Sequence, residues 1–258
     1  MMENQSDDSR IKVKSLYKSL QLLSLFDQTH PERGITELAE LSGMLKSSVH
    51  NIVSTFEAYR VLKRDPKTGK YQLGTRVLEF SNAYSASNTI DATLKPYMDD
   101  LSEQIGEVLH LAIPDQDRIV YVRSSLPKSM LNSFRHIRGV TADMYCTGVG
   151  KAMLAYMPKE IIEKVASSKM IAYTQNTITS RDRLLEELEE IREQGYAIDN
   201  MEHEYGVKCV SVPIFNSLGV LVGAVSATGP SLRMTSEKLS QYSKLLIELS
   251  QNVKYQLV

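Results

Sequence analysis

The chain of 258 residues has no tryptophan, five phenylalanines and two cysteines. Two thiols, Cys146 and Cys209, cannot build a disulfide framework and fit a reducing compartment. No apolar run approaches the roughly 18 residues that a membrane helix needs. The opening residues, MMENQSDDSR, are too polar and acidic for a secretory or transit leader. These absences predict a cytoplasmic protein with no membrane partner. Net charge is also scarce, at -1, which on its face argues against a nucleic-acid partner.

The distribution of charge argues the other way. Residues 10–76 carry twelve Lys and Arg against six Asp and Glu, whereas residues 77–258 carry 18 against 22. The first nine residues add three acids and no base. A basic front on an acidic body suits a front that meets a polyanion. The hydrophobic fraction of 42% and charged fraction of 24% are otherwise those of a globular chain of one or two domains.

Within the basic front, residues 15–27 place Leu16, Leu20, Leu23 and Phe26 at helical spacing, with Leu22 and Leu25 widening the stripe. After Pro31 and Gly34 a short helix is expected with Thr36 as N-cap and Ser42-Gly43 as its end. A third helix is expected from about Leu45 to Tyr59, burying Val49, Ile52, Val53 and Phe56. That choice of buried face leaves Lys46, Ser47, Ser48, His50, Asn51 and Ser54 outside. Short strands at 61–64 and 70–73 then flank the turn Asp65-Pro66-Lys67-Thr68-Gly69.

Three helices followed by a hairpin form the pattern of a winged helix-turn-helix, whose recognition helix presents its outward side chains to base edges. Asn51 can pair bidentately with adenine, and Ser47 and Ser54 share its stripe. Lys63, Arg64, Lys67 and Lys70 suit phosphate contacts. Each feature alone also fits an ordinary solvated helix beside a lysine-rich turn; their order and shared charge surplus favour double-stranded DNA.

Beyond residue 75 the pattern changes. A connecting helix over 75–87 carries Val77, Leu78, Phe80 and Tyr84, and another helix is expected over 91–105, capped by Asp91. Strands are expected at 107–113, 118–124, 131–135, 196–199, 207–215 and 220–228. Helices are expected at 148–156, 158–166, 181–194 and 236–256. This order predicts an α+β domain with a mostly antiparallel sheet. The domain reading is 10–74 for the winged helix-turn-helix, 75–89 for the connecting helix and 90–258 for the second domain.

These motifs together resemble the IclR family of bacterial transcription regulators. Thr36-Glu37-Leu38-Ala39, Lys46-Ser47-Ser48-Val49 and Lys70-Tyr71-Gln72-Leu73-Gly74 are similar to its DNA-binding half. Gly148-Val149-Gly150-Lys151-Ala152, Gly195-Tyr196-Ala197 with Glu202, Gly206 to Ile214, and Ser226 to Pro230 are similar to its effector-binding half. The chain departs from the family's usual pattern at Leu45, where Pro is common, and at Tyr145-Cys146-Thr147, where Ala-Thr-Ala is common.

The resemblance implies a GAF-like effector domain, a homodimer or homotetramer, a repressor in preference to an activator, and a small carboxylate effector. By match to the family's motifs the effector site takes the amides of Gly148 and Val149 with Asp199, Cys209, Ser226 and Thr228 opposite. Free N–H groups at the start of a helix favour a carboxylate, while hydroxyls and a thiol can donate to it. No cofactor or metal site is expected. Two other readings are a metal- or redox-responsive regulator using Cys146 and Cys209, and a hydrolase with a cysteine nucleophile and His110, His136 or His203 as base. No local spacing suits a metal, and Cys209 lies in an apolar strand that would suppress a thiolate.

Overall fold

The computed structural model describes residues 11–27, 29–87, 89–130 and 137–257. It forms two compact units that meet in sequence between Ser87 and Asn88.

The first unit contains α1 (Lys14–Leu23), β1 (Glu32–Arg33), α2 (Ile35–Ser42), α3 (Lys46–Ala58), β2 (Leu62–Arg64), β3 (Tyr71–Leu73) and α4 (Arg76–Ser87). Its core is Leu22, Phe26, Leu38, Ala39, Val49, Val53, Leu62 and Tyr71. The strands pair antiparallel in the order β1-β3-β2, so the wing has a third strand that the sequence reading lacks. A two-residue strand has too few positions to show alternation.

Two expectations need correction. Helix α1 stops at Leu23, and Leu16 and Leu20 are 56% and 51% exposed; of the apolar stripe, Leu22 and Phe26 are the buried members. Helix α2 starts after Gly34 in extended conformation, so Thr36 lies inside the helix and caps nothing. Helix α4 buries none of its residues, so Leu78, Phe80 and Tyr84 keep their apolar surface uncovered within this unit.

The wing depends on one close approach. A Cβ on Gly74 would lie 2.2 Å from the Arg60 carbonyl oxygen, and the Gly74 N–H donates to Val61 O at 2.7 Å. Arg60 itself closes α3 with a φ of 62°. Its guanidinium and that of Arg76 both reach Glu79.

The second unit contains α5 (Thr89–Ile105), β4 (Val108–Asp115), β5 (Arg118–Ser125), β6 (Thr141–Asp143), α6 (Gly148–Leu154), α7 (Lys159–Ala166), α8 (Arg181–Gln194), β7 (Ala197–Asn200), β8 (Val207–Phe215), β9 (Leu221–Pro230) and α9 (Ser236–Val253). Its sheet has the order β6-β5-β4-β9-β8-β7, with every pair antiparallel. Asp91 falls in the first turn of α5 rather than at its cap and pairs with Arg123. Strand β6 is an addition to the sequence reading, and the strand expected at 131–135 lies outside the described residues.

The two faces of this sheet differ chemically. One carries Leu109, Leu111, Val210, Val212, Ile214, Val225 and Ala227 and packs with α5 and α9. Side chains alternate across a strand, so the other face carries His110, Ala112, Cys209, Ser211, Ala224, Ser226 and Thr228. Helices α6, α7 and α8 form the second core on that side. Among the described residues no helix is long and apolar enough to cross a membrane.

Candidate DNA-binding surface and effector site

In the first unit, α3 buries Val49 and Val53 completely and half-buries Ile52 and Phe56. Lys46, Ser47, Ser48, His50 and Asn51 are exposed along its N-terminal half, and Ser54 is half-buried one turn further on. Lys63 and Arg64 on β2, Lys67 in the turn and Lys70 before β3 are exposed as well. Arg64 curls back, donating from Nε to Gly69 O at 3.3 Å with its guanidinium carbon 5.9 Å from the Tyr71 ring centre. The turn is rigid because Asp65 Oδ1 accepts from the Lys67 N–H at 2.7 Å. A polar helix face and a basic wing are thus held by one apolar core.

In the second unit, the expected effector residues lie on the polar face of the sheet. Asp199, Cys209 and Thr228 sit opposite one another on β7, β8 and β9. Ser226 is two residues from Thr228, with their hydroxyl oxygens 3.2 Å apart. Gly148 lies directly above β8: a Cβ there would fall 2.5 Å from Ser211 Oγ and 2.6 Å from Cys209 Sγ. Only glycine lets the backbone approach the strand so closely. Thr147 caps α6 by accepting from the Gly150 N–H at 3.2 Å. The Val149 side chain is buried in the core on this side, so only its backbone can serve a ligand.

Burial sets the ionisation of these groups. Desolvation raises Asp199 to about 7, against a hydrogen bond from the Glu202 N–H to Oδ1 at 2.7 Å. It raises Cys209 to about 12 and pushes Cys146 up as well, so both thiols stay protonated and unreactive at neutral pH. The cysteine-hydrolase reading finds no support in this geometry. His110 is bonded to Ser124, His203 packs at a tilt against the Tyr173 ring, and His136 lies outside the described residues. Among the described residues no group of three His, Cys, Asp or Glu side chains could hold a metal ion.

Several residues of this region were not singled out from sequence. Lys151 is completely buried, with Nζ 2.8 Å from Glu187 Oε1 and 2.6 Å from Glu202 Oε1. Burial opposes its charge, but the two carboxylates outweigh that and raise its pKa. The second Glu202 oxygen is buried without a hydrogen-bond partner among the described residues. Next to Glu202, Met201 has a φ of 61°, and its carbonyl accepts from Thr174 Oγ1 at 2.7 Å. This network fixes the turn that supplies the Asp199 hydrogen bond. The local signal was slight: a lysine three residues into a helix reads as solvated until long-range packing buries it.

Comparison with known proteins follows the same division. Residues 15–66 match the IclR helix-turn-helix domain, and residues 82–255 match the C-terminal domain of the bacterial transcriptional regulator IclR. The HTH-type transcriptional regulator XynR of Escherichia coli is 29% identical over 91% of this chain and 93% of its own. The transcriptional repressor IclR of Escherichia coli is 27% identical over 94% of this chain and 89% of its own. The crystal structure of Thermotoga maritima IclR superposes with a TM-score of 0.71 at 29% identity, covering 93% of this chain and 99% of that one. The chain belongs to the IclR family of DNA-binding transcriptional regulators.

Proposed function

We propose that this regulator is a cytoplasmic repressor whose hold on its operator changes when a small carboxylate binds the second unit. The observation that carries the reading is the polar face beneath Gly148. There Asp199, Cys209, Ser211 and Ser226 are buried although the opposite face of the same strands is apolar. Buried polar groups cost free energy unless they are paired, so a face built from them fits a polar occupant. The amides of Gly148 and Val149 with the hydroxyls of Ser226 and Thr228 offer donors to a carboxylate, and an Asp199 oxygen accepts from a ligand hydroxyl. Helix α6 spans only seven residues, so its dipole is a minor contributor and the hydrogen bonds dominate.

On the DNA side, Ser47, His50, Asn51 and Ser54 read base edges while Lys46, Ser48, Lys63, Arg64, Lys67 and Lys70 hold phosphates. A palindromic operator needs two such units, and the uncovered apolar surface of Leu16, Leu20, Leu78 and Phe80 supports a homodimer.

The test is a melting-temperature screen of organic acids, since a ligand of the folded state raises the midpoint. It is followed by operator gel shifts with each hit. Ser226→Ala should weaken a hit and leave effector-free operator binding unchanged. Indifference of every hit to both Ser226→Ala and Cys209→Ala would place the pocket elsewhere.

A further inference from the structure

Within the first unit the chain doubles back between α3 and α4 and is fastened there at several points. The Arg76 N–H donates to Arg60 O at 3.1 Å, and the Gly74 N–H donates to Val61 O. These bonds tie the first residue of α4 to the turn that ends α3. Backbone bonds at the first residue of a helix fix where it starts, and its direction can still swivel about that point.

Side chains remove that freedom. Glu79 lies almost one turn into α4, about 4.5 Å along the axis from Arg76. Its two oxygens accept from different arginines, Oε1 from Arg60 at 3.3 Å and Oε2 from Arg76 at 2.7 Å. Arg76 also donates to Tyr59 Oη at 3.2 Å. Its guanidinium carbon lies 4.8 Å from the Tyr59 ring centre and 5.8 Å from that of Phe80. Arg76 Nε is buried there and has no hydrogen-bond partner among the described residues. A planar guanidinium held by a carboxylate and stacked on a ring is fixed in orientation as well as in place.

None of Tyr59, Arg60, Arg76, Glu79 and Phe80 is among the unit's core residues. Exposed ion pairs add little to stability, so this clasp is better suited to setting an angle than to holding the fold together. The angle controls a long lever. In the homodimer reading above, a second copy meets α4 through Leu78 and Phe80 while α3 of each copy faces the DNA. Half-sites lie about 34 Å apart or a multiple of that. Rotating α4 against α3 by about 6° therefore moves the partner's recognition helix by roughly 3.4 Å, the rise of one base pair.

We propose that Glu79, with Arg60, Arg76 and Tyr59, sets the spacing between half-sites that the homodimer accepts. These are positioning residues: they act through the orientation of α3 and touch no base. The inference rests on the homodimer reading and adds to it which palindromes are bound.

The test uses the full-length protein. Binding-site selection first yields its preferred palindrome. Gel shifts then compare that duplex with versions one base pair longer or shorter at the centre, and with a duplex carrying a single half-site. The wild-type protein should lose about tenfold or more on either change of spacing. Glu79 is 49% exposed, so its replacement spares the fold. Glu79→Ala should cut the loss to about threefold or less and leave single-half-site affinity unchanged. Glu79→Gln, which keeps an acceptor for one arginine, should fall between the two. Arg76→Lys, which keeps the charge without the planar fork, should relax spacing as Glu79→Ala does.

Spacing preference that survives unaltered in both Glu79→Ala and Arg76→Lys would overturn the clasp and leave the homodimer standing. A uniform gain at every spacing in Glu79→Ala would also overturn it, by making the released arginines phosphate contacts. Equal losses on the palindrome and the single half-site would reduce the clasp to a support of the fold. A wild-type protein indifferent to spacing would remove the homodimer reading and this inference together.

Discussion

The two units of this protein misplace their side chains in opposite senses. The DNA-binding unit leaves Leu16, Leu20, Leu78, Phe80 and Tyr84 exposed, while the effector unit buries His110, Lys151, Asp199, Glu202 and Ser211. Exposed apolar surface marks a unit completed by another molecule's surface. Buried polar groups mark a unit whose interior has chemical work, because each must be paired or it costs stability. On the function proposed above, the first unit is completed from outside and the second from within.

The comparison breaks most severely at Lys151. Lys151→Met would leave buried Glu202 with no cation and Glu187 with Arg183 alone, and loss of one partner from a buried ion pair costs about 3–5 kcal/mol. Chemical denaturation should show that loss in the second unit's transition. In the first unit, Leu20→Asp with Phe80→Asp should turn a dimer into monomer and weaken operator binding about 100-fold, which corresponds to roughly 2.7 kcal/mol. Light scattering beside gel shifts measures both, and an unaltered dimer would assign the exposed leucines no role in assembly.

A smaller effect tests the interior from another side. Asp199 has a raised pKa, so the folded state holds a proton that the unfolded chain releases at lower pH. Stability therefore falls as pH rises from about 4 to about 7, and the cost is complete above that range. Asp199→Asn keeps the acceptor for the Glu202 N–H and removes the charge. It should raise the melting temperature more at pH 8 than at pH 5, by an amount equivalent to about 2 kcal/mol. Equal shifts at both values would mean that Asp199 is not held protonated by its burial.

The smallest changes are expected on the exterior of α3 and its wing. Asn51→Ala should cost about tenfold in operator affinity and relax preference at one base position. Lys67→Ala should weaken all sequences several-fold and flatten the salt dependence by about one unit of slope. Binding-site selection at two salt concentrations separates the two behaviours.

How far the sequence foretold these regions depends on the range of the interactions involved. Helix α3 was legible because Val49, Ile52, Val53 and Phe56 repeat at helical spacing, which fixes both the buried and the outward residues locally. The same rule misled at α1. Leu16 and Leu20 follow the period as well as core leucines do, and spacing cannot distinguish a core from a surface awaiting a partner. Thr36 is a plausible cap by type, but the chain enters α2 two residues earlier, through extended Gly34. The polar row across the second unit's sheet was invisible for a different reason. Ser211, Ser226, His110 and Ser124 are separated by up to 116 positions in the chain and become neighbours only through strand register. Family motifs supplied Gly148, Cys209 and Ser226, while His110 was considered only as a catalytic base.

The sealed position of Cys209 has a practical consequence. Its sulfur lies beneath Gly148 and beside Ser211, 3.7 Å from the latter's hydroxyl oxygen. An alkylating reagent can reach it only when α6 lifts from β8, so the labelling rate follows the frequency of that local opening. The second thiol, Cys146, sits just before the same helix and is fully buried. With no other cysteine in the chain, the wild-type protein carries two native clocks at the edge of the proposed effector site, and a bound ligand that pins α6 to the sheet would slow both.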